Sequence, residues 1–451
     1  MNKRFYIIAA ALALVLGACA CNKQLNQGKV NLDIEEETEQ VEEVNVRFSH
    51  PGAYVNAADI ARAKAAVEAA DETNPVYAAW KSFIYSPWAQ ETVKPNVLET
   101  VVRGDPKGTG VDKENFIVCD QQAAAAFQLA LRWQISGETK YAEASRAILN
   151  AWAAGCKKIT ANDNNQYLLA GFQGHSFANA AELLRSYEGW TASEQATFGK
   201  WLRDLWYAKN YWFIDNHGGS GVCDLHYWSN WELANLASIL AIGIYLEDKD
   251  MVNYVNKQFH AGKGSGALKN LVPFDPVPDP SGHGYLAQSM ESGRDQGHGT
   301  LVASMTAELC RMAQNVGLDF WEADNNRVLA MFEYTAKYNL TPQITTTMPF
   351  TQYKYCTDCS CSNHSHGVTH TTVSSDGRGT ERPCWELIYA HYSKETNNAS
   401  NAYYSKLFAE QLRYTGGKLT GDGGAGDARY GSNSGAFDQL GWGTLLFYQG
   451  E

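Results

Sequence analysis

The sequence is poor in proline, in long apolar runs and in positive charge, and each shortage argues against a class of protein. Only 12 prolines occur in 451 residues, and no proline-, glycine- or serine-rich linker divides the chain after residue 46. A formal net charge of −12 argues against nucleic acid as a partner, because proteins that bind it are normally basic. Beyond the N-terminus, no apolar stretch is long enough to cross a bilayer. The sequence therefore predicts one large folded body.

The N-terminus has the pattern of an exported, lipid-anchored protein. Residues 5–16 are apolar, follow two basic residues and have the length of a signal-peptide core. Leu16-Gly-Ala-Cys19 resembles a bacterial lipobox, in which the cysteine becomes the lipidated first residue. Residues 33–43 hold seven acids and no base, which favours an unfolded tether. We predict a signal peptide over 1–18, an acidic flexible tether over 19–46 and a single folded domain over 47–451. The lipid would hold this domain at the outer membrane, on the periplasmic or cell-surface side.

Apolar periodicity typical of helices recurs along most of the folded part. It predicts helices over residues 57–70, 121–135, 141–154, 176–187, 193–208, 231–246, 251–260, 300–315, 327–338, 381–392 and 402–414. Many of these form neighbouring pairs joined by short polar turns, which is how helical toroids are assembled. Strand-like segments are few, and only 343–355 and 367–374 are expected to pair as a small ribbon. We predict an all-α fold, an incomplete (α/α) toroid of about six to seven helical hairpins with this ribbon inserted.

The segment Glu291-Ser-Gly-Arg-Asp-Gln-Gly-His298 places a carboxylate, a guanidinium and an imidazole just before a helical run. Arg294 and His298 lie four residues apart, so a helix that began this early would point both side chains the same way. A fixed cation beside a titratable imidazole suits acid–base chemistry on an anionic substrate. The alternative is a helix turn in which Arg294 and Asp295 only pair with their neighbours.

Two glycine-rich loops carry further groups suited to catalysis. Functional side chains favour loops on a rigid scaffold, and glycine lets the backbone approach a ligand closely. The chain also has 13 Trp and 24 Tyr, several of them beside these loops, where sugar faces can stack on aromatic rings. The loop residues of interest are Asn216, His217, His226, Asn230, His283 and Tyr285.

A segment rich in cysteine and histidine follows the first strand of the predicted ribbon. Cys356, Cys359, Cys361 and His364 are ligand types suited to zinc, although their spacing is not a standard one. In an exported protein the same cysteines could form a disulfide, with or without Cys384. We predict no catalytic metal and keep a structural metal as the alternative.

Three motifs resemble the alginate-lyase superfamily of helical-toroid polysaccharide lyases. They are Glu291–His298, the Asn-Asn-Arg and Phe-Glu-Tyr-Thr-Ala-Lys-Tyr-Asn segments within 325–339, and the Gly-Arg-Gly and Arg-Pro-Cys-Trp-Glu segments within 377–386. They are most similar to the gut-Bacteroidota branch that includes polysaccharide lyase family thirty-eight. The resemblance implies a helical toroid that cleaves 1,4-linked polyuronates, alginate above all, by β-elimination and without a cofactor. Its partner would be an anionic polysaccharide or oligosaccharide.

β-Elimination of a uronate removes the proton at C5, alpha to the C6 carboxylate, and expels the 4-linked oxygen. It therefore needs a base, an acid and groups that neutralise the carboxylate. Asn216 and His217 resemble the Asn-His pair of lyase families five and seventeen, and residues 226–231 resemble the Tyr-Trp segment that follows that pair. The implied roles are His226 or His217 as base, Tyr285 or His298 as acid, and Asn216, Asn230 and Arg294 as neutralising groups. Substrate-binding residues would be Asn230, Trp231, Arg378, Arg382 and, at a helix start, Gln173 and His175.

Other functions stay open at this point. A glucuronan lyase would have the same fold and chemistry. A glycoside hydrolase on a helical toroid would need two carboxyl groups about 5–10 Å apart, and Asp224, Asp279, Glu291 and Asp295 could supply them. A glycan-binding surface lipoprotein without activity would need the aromatic rings and the anchor, but not the cluster of Arg, His and Asn.

Overall fold

The computed structural model describes residues 41, 43–104, 113–161, 163–217, 223–340, 348–355, 368–396, 398–432 and 434–450. The predicted signal peptide, most of the tether and the cluster of Cys356, Cys359, Cys361 and His364 lie outside these residues. Cys384 is a free, buried cysteine, so the disulfide considered for it is not formed. Within the described ranges, no helix has the length and apolar character needed to span a membrane.

The described chain is mainly α-helical, which confirms the predicted fold class. The helices are α1 (Ala57–Ala69), α2 (Pro75–Phe83), α3 (Ile117–Ser136), α4 (Thr139–Gly155), α5 (Asn165–Leu184), α6 (Ala192–Trp201), α7 (Ala208–Asn216), α8 (Ser229–Leu246), α9 (Lys249–Ala261), α10 (Leu268–Leu271), α11 (Gln296–Asn315), α12 (Ala323–Asn339), α13 (Trp385–Ala390), α14 (Tyr403–Leu412) and α15 (Gly443–Phe447). Every predicted helical segment overlaps one of these helices. The sequence pattern missed α2, α7, α10 and α15, and it began α5 too late.

The described strands are short and form two-stranded pairs. They are β1 (Thr100–Val102) with β2 (Lys158–Thr160), β3 (Val277–Pro278) with β4 (Tyr285–Leu286), β5 (Tyr353–Tyr355) with β6 (Val368–His370), and β7 (Tyr414–Thr415) with β8 (Lys418–Leu419). The antiparallel pairing of β5 with β6 confirms the predicted ribbon, with Tyr353 opposite His370. This ribbon packs beside the chain that enters α11, where the Gly293 N–H donates to the Tyr353 hydroxyl at 3.3 Å.

The inner wall of the toroid is formed by α3, α5, α8, α11 and α13, which pack side by side in this order. Contacts continue from α13 through α15 to α1 and α2, and α1 packs back on α3. The buried apolar side chains between these helices form one core that extends from Val46 to Phe447. A scaffold of this kind holds the ends of its inner helices in fixed positions, and functional groups at those ends inherit that rigidity.

One end of the toroid is filled by residues 50–59. The Tyr54 N–H donates to Asn179 in the last part of α5 at 2.8 Å, and Arg311 in the last part of α11 bonds Asp59 at 2.6 Å. Because these contacts involve the C-terminal parts of inner helices, the N-terminal ends of the same helices lie at the opposite end. Helix N-termini carry unsatisfied N–H groups and partial positive charge, so the opposite end favours an anion.

Candidate active site

Glu291 lies at the centre of the contacts just before α11, and its side chain is fully buried. Its Oε1 accepts hydrogen bonds from the Asn230 backbone N–H at 2.9 Å and from the Asn230 amide at 2.6 Å. Its Oε2 accepts from Arg294 Nη1 at 3.0 Å. Glu291 therefore ties the segment before α11 to the first turn of α8 and holds the guanidinium of Arg294.

Arg294 is held on its other side by stacked aromatic rings. Its guanidinium carbon lies 4.7 Å from the centre of the Trp228 ring, within the range of a cation–π interaction. Trp228 in turn stacks on Tyr355 with ring centres 3.6 Å apart and planes at 10°. The Tyr355 hydroxyl donates to the carbonyl of His226 at 2.8 Å. The ribbon thus braces both Arg294 and the loop that carries His226.

Asp295 joins Arg294 to His298 at the start of α11. It is the N-cap of the helix, where Oδ1 accepts the His298 N–H at 2.8 Å and Oδ2 lies 2.6 Å from His298 Nδ1. Burial raises the pKa of Asp295, but the hydrogen bonds from His298 outweigh burial and leave that pKa below its usual value. The imidazole side chain of His298 is 38% exposed, so its Nε2 atom is accessible to a ligand.

Helix α11 begins at Gln296, so the condition under which helical spacing would point Arg294 and His298 the same way is not met. Asp295 caps the helix at that point, so Arg294 belongs to the preceding turn. The two side chains are brought together by their common neighbour, with Arg294 Nε 3.6 Å from Asp295 Oδ2. The expected proximity results from capping and not from helical spacing.

His217 ends α7 in the left-handed conformation, with φ of 47°, and its ring is buried. Its Nδ1 lies 2.8 Å from Oε1 of Glu232, and Nε2 lies 3.5 Å from Asp224. Burial lowers the pKa of His217, but the hydrogen bond and charge of Glu232 outweigh it, so the pKa is raised. A proton-holding imidazole at this place suits a negatively charged ligand.

Glu232 is itself held tightly. Its Oε2 accepts the Gly266 N–H at 2.8 Å, and the residue is only 3% exposed. A Cβ at Gly264 would lie 1.9 Å from Glu232 Oε1, so the close approach of this loop requires glycine there. The loop before α10 thus holds the Glu232 carboxylate in place, and this carboxylate in turn orients the His217 ring.

His226 is positioned by its backbone and its neighbours. Its N–H donates to the Cys223 carbonyl at 2.9 Å, and its ring meets Tyr227 edge-on with ring centres 4.8 Å apart. Its Nδ1 atom is buried and has no hydrogen-bond partner within the described ranges. Unlike the other two imidazoles, His226 is bonded to no described carboxylate.

Other predicted residues are placed in less direct positions. Tyr285 is 56% exposed on β4, opposite Pro278 of β3, and no described contact joins it to Arg294 or His298. The Asn216 amide donates within its own helix to the Trp212 carbonyl at 2.9 Å. Trp231 packs on Tyr227 with ring centres 4.8 Å apart. The Asn230 amide is committed to Glu291, which makes Asn230 a support of the site.

Gln173 and His175 do not lie at a helix start, contrary to expectation. Helix α5 begins at Asn165, so both residues are in its middle, where each is 1% exposed. Burial lowers the pKa of His175 to about 3, and its Nε2 lies 3.6 Å from Glu308. Both side chains belong to the packed inner wall and present no surface to a sugar in this conformation.

The two predicted arginines differ in accessibility. Arg378 is exposed, and its Nε donates to the Tyr338 carbonyl at 2.8 Å. Arg382 is 8% exposed, and burial lowers its pKa. Its Nη1 donates to Gln439 at 2.6 Å and its Nη2 to the Gly297 carbonyl at 3.4 Å. Arg382 therefore contacts the first turn of α11 through the Gly297 carbonyl, whereas Arg378 is exposed to solvent.

Sequence reasoning missed Glu232, Trp228 and Tyr355. Glu232 carried a usable signal, because it is the only charged residue of the apolar helix α8. Trp228 lies in the Tyr-Trp segment that the family resemblance pointed to, whereas Tyr355 carried no signal, since its stacking on Trp228 joins segments far apart in the chain.

The family model for alginate lyases matches residues 62–270. No curated protein sequence matches the chain. An alginate lyase from Bacteroides ovatus has a similar structure, with a TM-score of 0.51, 14% identity, and coverage of 82% of this chain and 98% of that chain. Alginate lyase A1-III from Sphingomonas species A1 has a TM-score of 0.53 and 12% identity, with coverage of 90% of this chain and 98% of that chain. A variant of A1-III complexed with a tetrasaccharide has a TM-score of 0.55 and 12% identity, with coverage of 92% of this chain and 99% of that chain.

The structural similarity establishes the fold. Sequence identities this low do not transfer residue roles, which must be argued from the site of this chain. The family match and the structural neighbours together support an enzyme of the polysaccharide lyase class. The described chain has the helical toroid fold of these alginate lyases, and residues 62–270 match the alginate-lyase family model.

Proposed function

We propose that this protein is a polysaccharide lyase that cleaves 1,4-linked polyuronates, alginate above all, by β-elimination. One observation carries the proposal: Arg294, His217, His226 and His298 lie at the end of an alginate-lyase toroid where the inner helices begin. A structural neighbour complexed with a tetrasaccharide supports an oligosaccharide as the ligand. Glucuronan, with the same 1,4-linked uronate chemistry, is the second substrate to test.

In the proposed reaction, His217 and Arg294 neutralise the C6 carboxylate of the substrate. His217 suits this role because Glu232 favours its protonated form. Arg294 suits it because Glu291 and Trp228 fix its guanidinium on two sides. Fixed charges in a site that excludes water stabilise a developing anion most strongly.

The proton transfers are assigned to the two remaining imidazoles. His226, which is bonded to no described carboxylate, takes the proton from C5 as the base. The electron pair forms the C4–C5 double bond and the bond from C4 to the glycosidic oxygen breaks. His298, whose Nδ1 faces Asp295, protonates that oxygen, which becomes the hydroxyl of the new reducing end.

The hydrolase alternative receives less support from the carboxylates. Glu291 is fully buried against Arg294, and buried Asp279 is bonded to Lys337 and to the Tyr404 hydroxyl. Two of the four candidates are therefore committed to structural contacts. A pair of accessible carboxyl groups is what glycoside hydrolysis requires.

The test is incubation of the folded protein with poly-mannuronate, poly-guluronate and glucuronan while the ultraviolet absorbance of the new C4–C5 double bond is followed. We expect a rise in absorbance on at least one alginate polymer without added cofactor. Release of saturated reducing sugar without this absorbance would favour a hydrolase, and binding without any cleavage would favour a glycan-binding protein.

We also propose that lipid on Cys19 anchors the protein at the outer membrane. The basis is the lipobox-like Leu16-Gly-Ala-Cys19 and the acidic segment that follows it. A Cys19→Ala variant should leave the membrane fraction after cell fractionation, and its full retention there would contradict the proposal.

A further inference from the structure

Trp212 and Tyr167 form an aromatic platform outside the proposed cleavage site. Their rings stack with centres 5.0 Å apart and planes at 16°. Trp212 is 39% exposed, which is unusual for so large an apolar side chain in this protein. A flat, exposed indole braced from behind by a second ring is well suited to stacking against the apolar face of a sugar.

The platform lies on the helix that ends at His217. Lys209, Trp212 and Asn216 are spaced three and four residues apart on α7, so they share one face of the helix. His217 follows directly at the end of that helix. At a rise of 1.5 Å per residue, Trp212 lies about 7.5 Å before His217 along the axis, a distance that a short stretch of sugar chain spans.

A cation accompanies the platform. Lys209 lies over the Tyr167 ring at 5.5 Å, and its Nζ donates to the side-chain oxygen of Gln166 at 2.7 Å. In the described part of the chain, no carboxylate forms an ion pair with Lys209. Burial, and then the charge of nearby Lys158, lower its pKa, as expected for a half-buried cation that lacks a counter-ion. A carboxylate from a ligand would supply that counter-ion.

We infer that Trp212, Tyr167 and Lys209 form a distal subsite for a uronate unit of the polymer, with the sugar face on Trp212 and its carboxylate near Lys209. This inference rests on the proposed function, because it takes the same polyuronate chain to continue from His217 along α7. Such a subsite favours long substrates over short ones, since only a long chain reaches both places.

The experiment compares Trp212→Ala, Trp212→Phe and Lys209→Met with a control, Tyr85→Ala, which removes an aromatic ring that is 82% exposed after α2. Kinetics are measured on a long polyuronate and on the shortest oligosaccharide that is cleaved. We expect Trp212→Ala to raise the KM for the polymer about tenfold, with a smaller effect on the short substrate, and Trp212→Phe to recover most of the loss. Tyr85→Ala should match the parent protein.

Affinity electrophoresis, in gels that contain polyuronate or the same polymer with reduced carboxyl groups, tests the subsite apart from turnover. Lys209→Met should weaken retardation by the polyuronate only, whereas Trp212→Ala should weaken retardation by both polymers. Equal retardation of Trp212→Ala and the parent, or no retardation of the parent, would overturn the subsite. So would an equal loss by Trp212→Ala on long and short substrates. A parent protein that is retarded but forms no unsaturated ends would overturn the lyase proposal alone.

Discussion

Replacement of Glu291 by glutamine tests the contact that holds the proposed site together. The native carboxylate is fully buried and accepts three hydrogen bonds, two from Asn230 and one from Arg294. Glutamine has nearly the same shape, so the change removes the charge and one acceptor while it preserves packing. The amide nitrogen that replaces an oxygen would then face a donor, either Asn230 or Arg294.

The expected cost follows from the burial of the two partners. Loss of one partner of a buried ion pair costs about 3–5 kcal/mol when the remaining charge is also buried. The Arg294 side chain is 25% exposed and has Asp295 as a second partner at 3.6 Å, so part of its charge stays compensated. We therefore expect a loss of about 2–3 kcal/mol in the free energy of unfolding. Misplacement of the guanidinium should also reduce kcat/KM by about 10²-fold.

Denaturant titration of the parent and Glu291→Gln measures the first effect, and initial rates of double-bond formation measure the second. The control is Glu68→Gln, the same chemical change on the exposed side of α1. A Glu291→Gln protein with the stability and rate of this control would refute the idea that Glu291 positions Arg294. A loss of stability with normal turnover would make Glu291 structural only.

Four further variants test the neighbouring contacts and the choice of acid. Tyr355→Phe removes the hydroxyl that bonds the His226 carbonyl at 2.8 Å but keeps the ring, so kcat should fall about threefold to tenfold with KM little changed, and unchanged kinetics would contradict this role. Protonated His217 stabilises the fold fully below its unfolded pKa of about 6.5, and this contribution is lost as the pH rises through its raised folded pKa. Denaturant titrations should therefore show the stability difference between parent and His217→Gln shrinking as the pH rises above about 6.5, and a constant difference would count against the assignment. His298→Ala should reduce kcat by at least about 10²-fold while Tyr285→Phe stays near the parent, and the opposite result would make Tyr285 the acid.

Much of the helical framework could be predicted from the sequence because helix formation is encoded locally. Apolar residues three and four apart located α8 and α11 to within a few residues. The same reasoning failed for the part of α5 before Ser176, residues 165–175, where polar and glycine residues interrupt the apolar pattern. That part is helical because it packs between α3 and α8. Gln173 and His175, which were expected at a helix start, therefore lie in the middle of α5 and are buried.

For the candidate site too, some features could be predicted from the sequence and others required the tertiary structure. The sequence by itself determined which chemical groups are present, because the segment from Glu291 to His298 and the loop after α7 show their carboxylates, imidazoles and cations directly. Only the tertiary structure decided how these groups are paired. Glu232 bonds His217 while a glycine-containing loop packs closely on Glu232, and Tyr355 reaches Trp228 from a ribbon far away in the chain. Such pairings depend on how helices pack around the ring, and residue order along the chain does not encode those distances locally.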